Sequence, residues 1–215
     1  MTTEFAHQTK QARSQTTQER VVRAFVELLE EQTFDSLSVT DVTRRAEVSV
    51  GAFYKRFPSK EALLLHSDAT RLAPHIDALA TRFAADRWDG AGLDELARAY
   101  IDATVDVLLG HPGLVRAVAL YLRGVDNQDY RSRARRRNQR VYARIRDLVL
   151  DCGEVIPHPD PAAAFDFVNR MVTAAAREAT LYAERPVTRT SRRRREALVD
   201  QLTHAFLTYL RNPLP

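Results

Sequence analysis

The sequence predicts an all-α fold, with a small N-terminal three-helix domain followed by a larger helical domain. Three observations predict it. Apolar residues recur at helical spacing along nearly the whole chain, no segment alternates with the period of a strand, and only seven glycines occur in 215 residues, which suits helices joined by short connections.

The elements follow in order. Val21, Val22, Phe25, Leu28 and Leu29 mark one face of a first helix, and Thr16 with Glu19 three residues on reads as its capping box. A second helix is expected over 39–46, with Ser38 as N-cap and Asp41 in its first turn. Ser49 caps a third, over about 50–56, which Pro58 stops. Ser59 caps a fourth, whose first turn holds Glu61, and Pro74 breaks or kinks it near residue 73. Further helices are expected over 93–109, 114–122, 127–152, 162–182 and 196–210. Residues 110–113 read as a turn and 157–161 as a loop, with Asp160 capping the next helix and Pro161 at its first position.

Residues 36–65 carry the densest signal. Two short amphipathic segments joined by a tight link form a helix-turn-helix, whose second helix is shaped to enter the major groove of DNA. The upstream helix with Phe25 and Leu28, the Leu37-Ser38-Val39 entry, Ala46 before the turn and Val48-Ser49 after it add detail. So do Gly51-Ala52-Phe53-Tyr54, Phe57 and Ser59-Lys60-Glu61-Ala62-Leu63. Taken together, residues 20–65 resemble the DNA-binding domain of the TetR family of transcriptional repressors. The resemblance implies a flexible arm over 1–15, a helix-turn-helix domain over 16–65, and a helical effector-binding and dimerisation domain over 66–215. It also implies that Ser49, Val50, Ala52, Tyr54 and Lys55 face the groove or its phosphates. Gly51 lets the backbone approach closely, and Thr40 and Arg44 supply a phosphate contact and a base contact. Lys60, at the start of a helix, is placed to meet a phosphate.

Two residues depart from the family pattern. Glu47 stands where the turn usually has glycine, a position that often needs a left-handed backbone, and its carboxylate is repelled by phosphates. Val50 stands where a polar or basic residue or proline is common, and it can read a thymine methyl without hydrogen bonding. An unusual operator sequence follows.

The chain carries a net charge of +4 with a pI near 9.4, which favours an anionic partner. The excess is not in the first 60 residues, where nine Lys and Arg meet eight Asp and Glu. Residues 123–146 hold nine arginines against Asp126 and Asp129. Three readings of that stretch stand open: a solvated face, a site for an acidic ligand such as an acyl-CoA, or an auxiliary contact with DNA or protein. A second run, Arg192 to Arg195, opposes the dipole of the last helix, so either that helix starts nearer Glu196 or an anion sits close by.

The family resemblance assigns the second domain to an effector and to dimerisation. Trp88, Tyr100, Tyr121, Arg140, Tyr142, Phe167 and Met171 are candidate lining residues, and their character suggests a largely apolar small molecule. Ala163, Ala164, Ala174, Ala175, Ala176 and Ala179 allow close helix approach. The last two helices are therefore expected to build a homodimer, the symmetry a palindromic operator requires.

Enzymatic chemistry finds no support. The six histidines are scattered, no phosphate-binding or dinucleotide-binding glycine pattern occurs, and Cys152 falls on an apolar face. No catalytic residue, cofactor or metal is expected. The lone cysteine fits a reducing cytoplasm, and no apolar run is long enough for a membrane span. The expectation is a ligand-responsive, sequence-specific regulator, read as a repressor, that binds a palindromic operator in double-stranded DNA as a homodimer and is released by a small-molecule effector. The alternatives are an activator or co-repressor with an acidic, acyl-CoA-like effector, or a helical ligand-binding protein with a degenerate DNA head.

Overall fold

The computed structural model describes residues 2–181 and 189–212, with side chains from Gln15 to Leu181 and from Arg192 to Asn212. Among these residues it is helical, with no strand. Ten α-helices follow in order: α1 Thr2–Glu31, α2 Val39–Ala46, α3 Val50–Tyr54, α4 Lys60–Ser67, α5 Ala73–Arg82, α6 Leu93–Gly110, α7 Pro112–Gly124, α8 Gln128–Leu150, α9 Pro161–Leu181 and α10 Arg189–Arg211. The chain divides into two compact units. One comprises Met1–Arg71 with Gly113–Gly124, the other Leu72–Pro112 with Val125–Pro215.

The short helices begin where the sequence places their caps. Ser38, Ser49 and Ser59 each accept a hydrogen bond from the backbone N–H three residues on. Asp160 Oδ1 accepts from Ala163 N at 2.9 Å, and Asn127 caps α8 through Tyr130 N. Each such cap is worth about 1 kcal/mol because it satisfies an otherwise orphaned donor.

Several boundaries differ from expectation. α1 is continuous from Thr2, so Thr16 stands inside it rather than at its cap. α3 ends at Tyr54, with Lys55 as its C-cap. The break expected near residue 73 is a π-helical turn over Asp68–Leu72, after which α5 restarts with Pro74 in its first turn. α7 starts at Pro112, inside the expected turn. The expected end of α9 at Tyr182 lies outside the described residues. α10 starts upstream of the arginine run, and Arg195 is held by Asp102 at 2.8 Å and by Asp106, both on α6. Those carboxylates offset the charge that the sequence reading left to an anion or a later start.

In the first unit, Val21, Val22, Phe25, Leu28 and Leu29 of α1 are buried together with Leu37, Val42, Ala46, Phe53, Phe57, Leu63 and Leu64. Phe53 and Phe57 pack with ring centroids 5.8 Å apart. Arg45 of α2 grips Glu31 of α1 with both guanidinium nitrogens, at 2.9 and 2.8 Å. This pairing holds the Glu31 carboxyl below its usual range. The N-terminus of α7 meets the end of α1, where Gly113 N–H donates to Glu30 Oε1 at 2.8 Å. A β-carbon at Gly113 would collide with the Leu29 carbonyl oxygen.

The second unit has its own core, in which Phe83, Tyr100, Phe165 and Phe206 are fully buried among aliphatic residues of α6, α8, α9 and α10. Burying one such aromatic contributes roughly 1.5–3 kcal/mol. A polar seam runs through this core. The Tyr100 hydroxyl donates to Asn169 Oδ1, and the Thr173 hydroxyl donates to the Asn169 carbonyl at 2.7 Å. Burial pushes the Tyr100 phenol well above its ordinary range, so it stays a neutral donor.

Candidate nucleic-acid interface

The helix-turn-helix is α2, a turn at 47–49 and α3. The turn closes tightly because Glu47 takes the left-handed conformation, φ 53° and ψ 50°. Val48 N–H donates to the Thr43 carbonyl at 3.0 Å and Glu47 N–H to that of Arg44 at 3.2 Å. The left-handed geometry expected at this non-glycine position is therefore present. Arg20 of α1 reaches the turn and donates to both the carbonyl and the carboxylate of Glu47, so the acid on this face has a cation beside it.

Phe53 anchors α3 with its side chain at 0% exposure, while Val50 and Tyr54 of the same helix stand 45% and 51% exposed. On a five-residue helix this separates one inward side chain from an outward face. Thr40, Arg44, Ser49, Gly51 and Lys55 are also exposed, and Ala52 is half-buried. The structure thus presents eight of the nine expected DNA-contacting residues on or beside the outer surface of α2 and α3. A β-carbon at Gly51 would meet only Ser49 Oγ, at 4.0 Å, so the domain itself has room for a side chain there.

Lys60 differs. Its ammonium is half-buried and donates to the carbonyls of Phe34 and Leu37 at 2.7 and 2.8 Å, 4.3 Å from the Phe34 ring centroid. The cation expected to meet a phosphate instead fastens the loop between α1 and α2. The sequence could not show this, because the carbonyls lie 26 and 23 positions earlier. Arg23, which was not singled out, lines a recess of about 310 Å³ with Arg20, Glu27, Arg45 and Glu47. Its three arginines outnumber its two glutamates, and no sequence motif announces it.

The expected effector residues fall in different places. Tyr100 lies in the core of the second unit, and Trp88 stacks on Phe83 at 5.2 Å with its indole N–H on the Arg82 carbonyl. Tyr142 is half-buried against the same core. Tyr121 belongs to the first unit, where its ring meets Phe34 edge-on. Phe167 and Met171 are not in the core: they stand exposed on α9. Arg140 lies in a groove along α8. The seven residues do not line a single cavity.

Comparison with known proteins bears on this geometry. Residues 21–66 match the family described as bacterial regulatory proteins, tetR family. No curated protein matches the chain in sequence. Among solved structures, the chain is similar to a regulatory protein of the tetR family from Rhodococcus RHA1, with 16% identity over 88% of this chain and 96% of that one and a TM-score of 0.65. It is also similar to the transcriptional regulator FadR from Bacillus subtilis in complex with stearoyl-CoA, with 17% identity, 89% and 97% coverage and a TM-score of 0.61. A third is a putative TetR-family regulator from Mesorhizobium loti, with 21% identity, 91% and 97% coverage and a TM-score of 0.58. At such identities the structural likeness shows the fold, an N-terminal helix-turn-helix domain with a larger helical domain after it. The family match falls on the helix-turn-helix residues themselves, so residues 21–66 form a DNA-binding domain of the tetR family of bacterial regulatory proteins.

Proposed function

We propose that the protein binds a palindromic operator as a homodimer, represses transcription there, and is released by a small-molecule effector. The observation that carries this reading is the outward face of α3, where Val50 and Tyr54 are exposed while Phe53 anchors the helix. Large apolar side chains left exposed on so short a helix mark a contact surface, and in this motif the surface meets the major groove. Tyr54, Lys55, Thr40 and Ser49 supply phosphate contacts that position the head. Val50, Ala52 and Arg44 supply the base contacts that specify it.

Dimerisation is assigned to α9 and α10. Phe167 and Met171 are exposed on α9 beside the exposed Ala163, Ala174 and Ala175, and Phe167 packs against Tyr209 of α10 at 5.0 Å. An apolar stripe flanked by small residues suits the same stripe of a second copy across a two-fold axis. Phe167 and Met171, two of the seven residues expected to line an effector pocket, then belong to this surface. The effector is assigned to the second unit, on the α8 side where Tyr142 packs against the core. Similarity to a regulator solved with stearoyl-CoA supports a second reading of it, as an apolar chain with an acidic head. Cytoplasmic location follows from the proposed role, and no single helix among the described residues is long and apolar enough to cross a membrane.

Selection from random double-stranded DNA with the purified full chain tests the reading. An enriched inverted repeat supports it, and its half-sites should lie about 34–36 Å apart or a multiple of that. No enrichment, with binding absent even at low salt, would leave the second unit as the seat of function.

A further inference from the structure

One feature of the second unit has no role in DNA reading or in the core. Arg133, Arg136, Arg137 and Arg140 line a groove of about 650 Å³ along α8, with Gln139 and Ala143 between them. Their spacing places them on one face of the helix, over about 10 Å of its axis. Elsewhere in the same unit, arginines meet acids: Arg98 with Asp200, Arg195 with Asp102 and Asp106, Arg211 with Asp94 and Glu154, and Arg146 with Asp166. The groove contains no acid among its lining residues, and no ion pair ties these four guanidiniums among the described residues. Like charges at such spacing repel one another.

The same stretch of α8 carries a further cost. Arg137 Nε and Asn138 Oδ1 are buried without a hydrogen-bond partner, and buried polar groups are nearly always satisfied. Burial pushes the Tyr142 phenol up in pKa, and the charges of Arg177 and Arg137 pull it down. Tyr142, on the same helix as these arginines, packs against the aromatic core.

We infer that the α8 groove binds a small anion carrying two or more phosphoryl groups, held by the forks of Arg133, Arg136, Arg137 and Arg140. Guanidinium forks match phosphate oxygens two at a time, and several phosphoryl groups in a row suit four forks spread along two helical turns. A single carboxylate would leave most of the charge unmet. This deepens the effector reading and rests on it for its regulatory meaning, so binding and operator release are measured separately.

The test is calorimetric titration of the full-length protein with ADP, pyrophosphate and adenosine. ADP should bind and adenosine should not. Pyrophosphate binding as tightly as ADP identifies free polyphosphate as the source, and tighter binding of ADP identifies a nucleotide-linked one. The double variant Arg137→Gln, Arg140→Gln should bind ADP about a hundred-fold more weakly, roughly ten-fold per lost charged contact. Arg135→Gln, on the opposite face of α8, should bind as the parent does, which controls for folding and bulk charge. Absence of ADP and pyrophosphate binding, an unchanged affinity in the double variant, or equal binding of adenosine would overturn the site. So would a double variant that lost only affinity for random DNA, since the groove would then be a DNA contact. ADP binding that leaves operator affinity unchanged keeps the site and removes the effector reading.

Discussion

A single guanidinium nitrogen of Arg20 holds Glu47 twice, through its backbone carbonyl at 3.0 Å and its carboxylate at 3.1 Å. The residue so held is the one non-glycine residue with positive φ among those described. A left-handed backbone costs a non-glycine residue roughly 1 kcal/mol. The exposed ion pair returns about 0.2–1 kcal/mol, so the pairing offsets part of the strain. Glu47→Gly should therefore change stability by no more than about 1 kcal/mol, because relief of strain and loss of the pair oppose each other. Removing the carboxylate should raise affinity for random DNA. Urea melts with binding isotherms at two salt concentrations check both parts, and weaker binding would show that Arg20 needs Glu47 to hold its place.

Gly51→Ala separates folding from reading. The domain has room for the added methyl group, and alanine is favoured over glycine inside a helix by about 0.5–1 kcal/mol. The variant should melt no lower than the parent and yet bind its operator more weakly, since the methyl group stands between the backbone and the groove. Equal operator affinity would take Gly51 out of the interface.

Lys60→Ala removes two charged hydrogen bonds to the carbonyls of Phe34 and Leu37. Bonds of this kind are worth about 1.5–3 kcal/mol. The helix-turn-helix domain should lose about 3 kcal/mol or more in a denaturant melt, the lower end of two such bonds, while the salt dependence of DNA binding stays as it is. A fall of about 0.9 in the salt slope would show that the ammonium also meets a phosphate.

His66 makes the first unit sensitive to acid. Its ring lies against Phe57 at 5.2 Å and its Nε2 meets Gln18 Nε2 at 3.0 Å. Burial lowers its pKa, and Glu19 opposes that only in part. Below the ordinary histidine value of about 6.5, the unfolded chain takes up a proton that the folded domain refuses until the pH is lower. Stability is then fully present above about pH 6.5 and declines as the pH falls. The shifted carboxylates, Glu31, Asp41 and Glu61, have ordinary values near 4.5 or below, so they act in a more acidic range. Thermal melts between about pH 5 and 7 should show the decline, and His66→Gln should flatten it.

Much of the helix-turn-helix was legible because its signals are local. Ser38, Ser49 and Ser59 meet donors three residues away, and the left-handed turn at Glu47 follows from where α2 must stop. The carbonyl partners of Lys60 could not be read because they lie over twenty positions upstream. The acids beside Arg195 were hidden for a similar reason, lying 93 and 89 positions away. Phe167 and Met171 show another limit: spacing assigns a residue to a helix face but not what covers that face. The groove on α8 was visible as charge, while the burial of Arg137 Nε that gives it depth comes only from the packing of the helix.

The close approach at Gly113 has a bearing on inheritance. With the Leu29 carbonyl where a β-carbon would stand, every missense change of that codon adds atoms that the end of α1 has no room for. The position has no path of small steps to another residue, whatever the chemistry of the newcomer. Alleles there should surface as heat-sensitive loss of function in an unbiased screen, at a residue whose part is to seat α7 on α1.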